Sequence, residues 1–185
     1  KTTSMKSLKV IISLIAIAVI TVLTVVLVVT SYNVAYSAIE KAYLNQVTNF
    51  NREIERNLVD FYETEIKHAS FFAKYPPVIE ATRAGRYNEI RPLLANFFKE
   101  KGIYEQIFVS TPELNSRIMV SADGKADGIR WGEIPVYVEN ARAALKGNIH
   151  VSDIGKSPAT GLTVLLITVP IMADGKVAGI LGLPV

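Results

Sequence analysis

Cysteine is absent from all 185 residues. No disulfide and no thiolate metal site can therefore form, which suits an exported domain that relies on its hydrophobic core. Histidine is scarce: His68 and His150 lie in unrelated segments without metal-site spacing. No Gly-x-Ser-x-Gly nucleophile elbow is present either. Charge is missing from Val10 to Val29, twenty consecutive positions that also lack proline and glycine. As a helix rising ~1.5 Å per residue, such a segment spans ~30 Å, the thickness of a bilayer's hydrocarbon core. The absence of proline and glycine continues to Lys74, so the stretch contains no built-in hinge.

What is there completes the topology. Lys1, Lys6 and Lys9, unaccompanied by acids, precede the apolar run, and Tyr32 and Tyr36 follow it. The positive-inside rule puts residues 1–9 in the cytoplasm, residues 10–30 across the membrane and everything from Ser31 outside. The competing expectation is a cleaved signal peptide, with Ala35-Tyr36-Ser37 as the cleavage site. The apolar run exceeds the ~7 to 15 residues of a signal sequence, which favours an anchor. The formal charge of +3 comes from the three lysines of the tail; setting them aside leaves 17 Lys and Arg against 17 Asp and Glu. The exported part is neutral, and no basic face for nucleic acid is implied.

Beyond the membrane, apolar residues recur at Ile39, Tyr43, Val47, Phe50, Ile54, Leu58, Phe61, Ala69 and Phe72, the three- and four-residue spacing of one helical stripe. Glu40, Arg52, Glu53, Glu55, Arg56, Glu63 and Lys67 fall on the polar face and read as solvated charge. This predicts a stalk helix over residues 31–74, ~65 Å long at ~1.5 Å per residue. Pro76-Pro77 stops it. Pro77 opens a short second helix ending near Gly85; Asn88 caps a third, with Pro92 in its first turn and Gly102 at its end. Strands are predicted over 105–110 and 117–121, a helix over 135–146 closed by Gly147, and strands over 149–153, 162–171 and 176–183. Ala173-Asp174-Gly175 joins the last two as a tight hairpin. The predicted fold class is α+β: a transmembrane helix running into a stalk helix, then a module over residues 75–185 with a five-stranded, mainly antiparallel sheet.

Certain residues carry a resemblance. His150-Val151-Ser152-Asp153, then Ser157-Pro158-Ala159-Thr160-Gly161, a strand ending in Val169-Pro170-Ile171, and the run from Asp174 to Gly182 resemble the C-terminal half of an extracytoplasmic, PAS-like Cache sensor module. The order of transmembrane helix, long helix, short helices and sheet is similar to bacterial methyl-accepting chemotaxis receptors, and the stalk length fits the double Cache arrangement. The resemblance implies a small-molecule pocket, signalling through the membrane to an output domain beyond Leu183-Pro184-Val185, and a parallel homodimer along the stalk. The same input domain serves sensor histidine kinases and cyclic-dinucleotide enzymes; a membrane-tethered binding protein is the third reading. Cache modules that bind amino acids resemble one another in an Arg-x-Trp-Tyr pattern and a late Asp. Here Arg130 and Trp131 are adjacent and Pro184 stands near the place of that Asp, so the amino-acid assignment is not transferred.

The physical shortlist for the pocket is Arg130, to pair with a ligand carboxylate, Trp131 and Tyr137 as walls, and Asp153 as an acceptor near a sheet edge. Ser121, Tyr104 and Phe108, on or near the first two strands, complete it. Catalytic motifs fail on spacing. Gly155-Lys156-Ser157 ends like a phosphate-binding loop, but His150 replaces its first glycine. Asp123 to Gly128 imitates a calcium loop, but Lys125 and Ile134 occupy ligand positions, and a hairpin turn explains it better. No enzyme activity, cofactor or metal is expected.

Overall fold

The computed structural model describes residues 2–185, with side chains from Val10 onward. Of the lysines on which the expected topology rests, Lys1 lies outside the described residues, and the side chains of Lys6 and Lys9 are not described. The chain falls into two compact units, Lys1–Val59 and Asp60–Val185. Helix α1 runs Thr2–Ala73. In the first unit every described side chain is exposed. Thr21, Thr24 and Thr30 donate their hydroxyls to the carbonyls of Ile17, Ile20 and Val26 at 2.8 Å, which hides the polar groups of an otherwise apolar segment. Among the described residues this is the one helix long and apolar enough to cross a membrane.

The second unit opens with the last turns of α1, where Ala69, Ala73 and Glu65 become buried. Two short helices follow. α2, Pro76–Arg83, carries proline in its first turn, where a missing N–H costs nothing. α3, Arg91–Lys101, is closed by left-handed Gly102. Asn88 is not its cap: Tyr87–Glu89 tightens into a 3-10 turn, Ile90 N–H donating to Tyr87 O, and α3 starts only after buried Ile90.

Strands β1 (Phe108–Ser110), β2 (Ile118–Ser121), β3 (His150–Val151), β6 (Leu166–Ala173) and β7 (Lys176–Pro184) form the expected five-stranded sheet, ordered β2-β1-β7-β6-β3 with every pair antiparallel. Its hairpin turn is as predicted, with Asp174 and Gly175 both at positive φ, 51° and 74°. Two predicted strands come out differently. The regular strand β1 begins only at Phe108; before it the pairing continues irregularly, Ala122 N–H donating to Ile107 O at 2.9 Å and Gln106 Oε1 accepting from Ile107 and Ala122 N–H. Residues 162–171 split, because β5 (Thr163–Val164) pairs with β4 (Gly155–Lys156) in a separate ribbon. Helix α4, Val138–Leu145, follows a 3-10 turn over Pro135–Tyr137.

The sheet is buried on both faces. Val109, Val120, Ile167, Val169, Leu181 and Leu183 pack with Ala69, Val78, Ile90 and Leu94 of the helical layer. Phe108, Ile118, Leu166 and Ile180 pack on the other side with Trp131, Tyr137, Ala141 and Ala144. A register shift in β2, where Val120 pairs with Val109 but Ile118 with Ser110, adds one residue at Met119 and turns Ile118 and Val120 to opposite faces. That bulge delivers Ile118 to the face where the site lies.

Candidate ligand-binding site

On the α4 face a small cleft of about 20 Å³ opens between β1, the segment Trp131–Tyr137 and the loop following β4. Trp131 sits on a 3-10 turn and is 1% exposed, its ring 5.9 Å from that of Phe108. The turn can come so close to the chain beneath it only because the next residue is glycine: a Cβ on Gly132 would stand 2.3 Å from the Leu114 carbonyl. Phe108 likewise lies over Gly182, where any side chain would collide with its ring. Tyr137, 2% exposed, donates to the Lys156 carbonyl at 3.2 Å and so ties α4 to the ribbon. Ile118, Val164 and Leu166 complete the apolar walls.

The exposed lining is almost wholly apolar, and the polar groups of the lining residues are mostly buried behind it. Glu105 N–H donates to the Pro184 carbonyl, fixing the backbone, and Ser157 Oγ donates to Glu105 Oε1 at 3.0 Å. The second carboxylate oxygen, Oε2, is buried without a hydrogen-bond partner among the described residues, and so is Trp131 Nε1. Native interiors seldom leave such groups unsatisfied. Burial, and then the Glu105 carboxylate, push the Tyr137 phenol above its ordinary pKa, which places that charge near the ring. Glu105 is the one charged side chain among the lining residues.

Three of the seven shortlisted residues, Phe108, Trp131 and Tyr137, are brought together here. The other four stand elsewhere. Arg130 is exposed and pairs with Glu133 at 3.3 Å. Asp153 is exposed on the segment after β3. Ser121 Oγ donates to Asp127 Oδ1 at 2.7 Å, and Arg91 reaches Asp127 at 2.6 Å. Asp123 in turn accepts from Gln106 Nε2 and the Lys125 N–H, so both acids of the calcium-loop imitation are used in a turn that folds the chain back, Ile118 N–H donating to Ile129 O. Tyr104 faces the helical layer, where its hydroxyl donates to buried Glu65. Among the described residues no cluster of His, Asp or Glu is arranged to hold a metal.

Glu105, Gln106 and Ile118 are lining residues that sequence reasoning missed. The available signal was Glu105 itself, an acid wedged between Tyr104 and the apolar run Ile107-Phe108-Val109. Ser157 to Ala159 stood out in the sequence as a motif, and their contribution to the cleft is now visible.

No family model matches the chain, and no curated protein matches it in sequence. Solved structures do. The ligand-binding domain of the Campylobacter jejuni chemoreceptor Tlp3, in complex with 4-methylisoleucine, matches with a TM-score of 0.52 and 16% identity, over 69% of this chain and 52% of that one. The sensor domain of the Vibrio cholerae histidine kinase DctB matches with a TM-score of 0.63 and 10% identity, over 78% and 56%. The chain spans about half the length of these solved domains. At such identities the likeness is one of fold, and it is the fold of sensory domains, as the sequence resemblance implied.

Proposed function

We propose that this chain is the extracytoplasmic ligand-sensing region of a transmembrane chemoreceptor, with residues 1–9 cytoplasmic, 10–30 in the membrane, 31–74 as stalk and 75–185 as the sensor module. The observation that carries the reading is the cleft: a pocket on a sensory-domain fold, walled by Trp131, Tyr137 and Phe108, with two buried polar atoms unpartnered. Solvent-exposed apolar residues Ile39, Tyr43, Val47, Phe50, Ile54 and Leu58 support a parallel homodimer along the stalk, since such a stripe needs a partner helix. The input domain of a sensor histidine kinase is the second reading, favoured by the higher TM-score to DctB, 0.63 against 0.52.

A route from pocket to helix follows from chain continuity. Glu105 lines the cleft, and its neighbour Tyr104 is hydrogen-bonded to Glu65 on α1. A ligand that draws Glu105 toward itself biases Tyr104, and with it the last turns of α1; the signal is the difference in ligand affinity between the two helix positions.

Trp131 is the only tryptophan, so its emission reports this cleft alone. In a small-molecule screen on the full chain in nanodiscs, a ligand is expected to raise Tm by mass action and to shift Trp131 emission together. Trp131→Phe should keep the fold and weaken binding. A ligand that stabilises the protein without touching Trp131 emission places the site elsewhere; loss of binding in Arg130→Ala would place it at the exposed rim.

A further inference from the structure

Resting on the membrane-anchored sensing reading above, we infer that the stalk pairs with a second copy of the chain through an eleven-residue repeat, as a nearly straight, right-handed coil, and that this pairing ends at Leu58. The spacing of the exposed stripe carries the inference. Ile39, Tyr43, Val47, Phe50, Ile54 and Leu58 follow one another at steps of four, four, three, four and four. One three and two fours make three helical turns of about 3.67 residues each, close to the ~3.6 of a free α-helix. A seven-residue repeat laid on Ile39 and Tyr43 falls next on Gln46, Phe50, Glu53 and Asn57, which would put three polar side chains into the seam. The sequence therefore selects the eleven-residue period, whose slight excess over the helix's own winds a pair right-handed.

The occupant follows from symmetry, charge and area. Two copies held in one membrane with the same sidedness are related by an axis along the bilayer normal, so their helices run parallel and each position meets itself. Apolar side chains pass that condition, and none of the six positions is charged. The repeat also reaches back to Tyr36 and Tyr32, whose rings lie 6.3 Å apart on one face. Tyr32, Tyr36, Tyr43 and Phe50 are 61–68% exposed. At roughly 150–250 Å² per aromatic side chain, covering them on two helices removes on the order of 1,000 Å², the area a specific interface needs.

The end point is set by the module. The same spacing continues in the sequence at Phe61, Glu65, Ala69 and Phe72, but in the second unit these positions are occupied by the chain itself. Ala69 is fully buried, Phe72 stacks on Phe97 of α3 at 5.1 Å, and Glu65 accepts from the Tyr104 hydroxyl. A continued pair would also set Glu65 against its own copy, two carboxylates that could not both stay ionised in a seam. The division between the two compact units, Val59 to Asp60, falls at the same step. The stripe thus changes partner there, from a second copy to the module's own helices, and that step is where a movement of the module is handed to the pair.

The chain has no cysteine, so single cysteines can be introduced one at a time into the full chain in membrane vesicles and oxidised with copper phenanthroline. A disulfide forms only where two Cα atoms come within about 7 Å. Dimer bands should peak at Ile39→Cys, Val47→Cys, Phe50→Cys, Ile54→Cys and Leu58→Cys, drop at Gln46→Cys and Asn57→Cys, and vanish at Phe61→Cys. Exposed Thr64→Cys, also expected to give no band, keeps the end point testable if Phe61→Cys fails to fold. Peaks at Gln46→Cys and Asn57→Cys in place of Val47→Cys and Leu58→Cys would reveal a seven-residue, left-handed coil and overturn the repeat. Bands at Phe61→Cys or Thr64→Cys as strong as at Leu58→Cys overturn the end point. An anchored protein that gives no band at any position overturns the second copy and assigns the stripe to a different partner. The sensing reading fails separately, when no compound in the small-molecule screen moves Trp131 emission.

Discussion

Glu105 and Tyr137 are chemically coupled without being bonded to each other. The phenol's pKa is raised by burial and then by the carboxylate's charge. Replacing Glu105 with Gln removes the second contribution and keeps most of the first, so the Tyr137 pKa should fall while staying above the ordinary value of ~10. A tyrosine ring NMR titration of the two proteins checks this, and an unchanged value would mean the carboxylate does not face the ring. The sign for stability follows from linkage. A raised folded-state pKa means that the associated stability is complete below about pH 10 and is lost as pH rises through the folded value. Tyr104 and Tyr87, both raised by burial first, act in the same direction. Stability of this unit should therefore fall as pH rises above about 10, read as a drop in Tm across the alkaline range.

At the scale of elements, the end of α1 is held by a polar cluster as well as by apolar packing. Glu65 accepts from the Tyr104 hydroxyl, His68 Nδ1 lies 3.4 Å from its other oxygen, and Lys101 Nζ is 2.7 Å from His68 Nδ1. The cluster joins α1, α3 and the segment leading into β1. Tyr104→Phe keeps the ring, which packs beside Phe97 at 5.8 Å, but deprives buried Glu65 of a donor. It should cost about 1–3 kcal/mol, read by urea unfolding. If the proposed route operates, ligand-dependent hydrogen exchange over residues 60–73 should also weaken in this variant while affinity is retained. Ligand-dependent exchange identical to the parent protein would remove Tyr104 from the route.

For the whole molecule the expectations concern sidedness and transmission. Accessibility labelling should find Lys6 cytoplasmic and Gly147 outside; recovery of a soluble, processed protein lacking the residues before Ile39 would instead mean that the apolar run is a signal peptide. Inserting Gly-Pro after Asn51 interrupts α1 at a point where it lacks both residues, proline removing a backbone hydrogen bond and costing the helix about 3 kcal/mol. In a receptor carrying its output domain, ligand affinity should be retained and the signal lost. Intact signalling would show that information travels by another path.

Local chemistry is what the sequence by itself determined. The uncharged run to Val29, the helix without glycine or proline, the prolines opening α2 and α3, and the Asp174-Gly175 hairpin are each set by neighbours along the chain, because capping, turn conformation and hydrophobic period act over a few residues. The alternation of period also gave the sheet and its strand count. Strand limits were less legible: β1 is only three residues long, beside a Gln106 side chain bonded to Ile107 and Ala122, and β5 leaves β6 to pair with β4. Such choices depend on partners far away in sequence. The cleft was decided in the same way. Trp131 and Tyr137 were visible as aromatic candidates, but only the fold turns Arg130 toward Glu133, aims Tyr104 at Glu65 and sets Glu105 beside Ser157, 52 residues further on. Nothing local distinguishes a charge that will face a cavity from one that will face water, since that difference lies in the dielectric and the hydrogen-bonding partners the folded chain assembles around it.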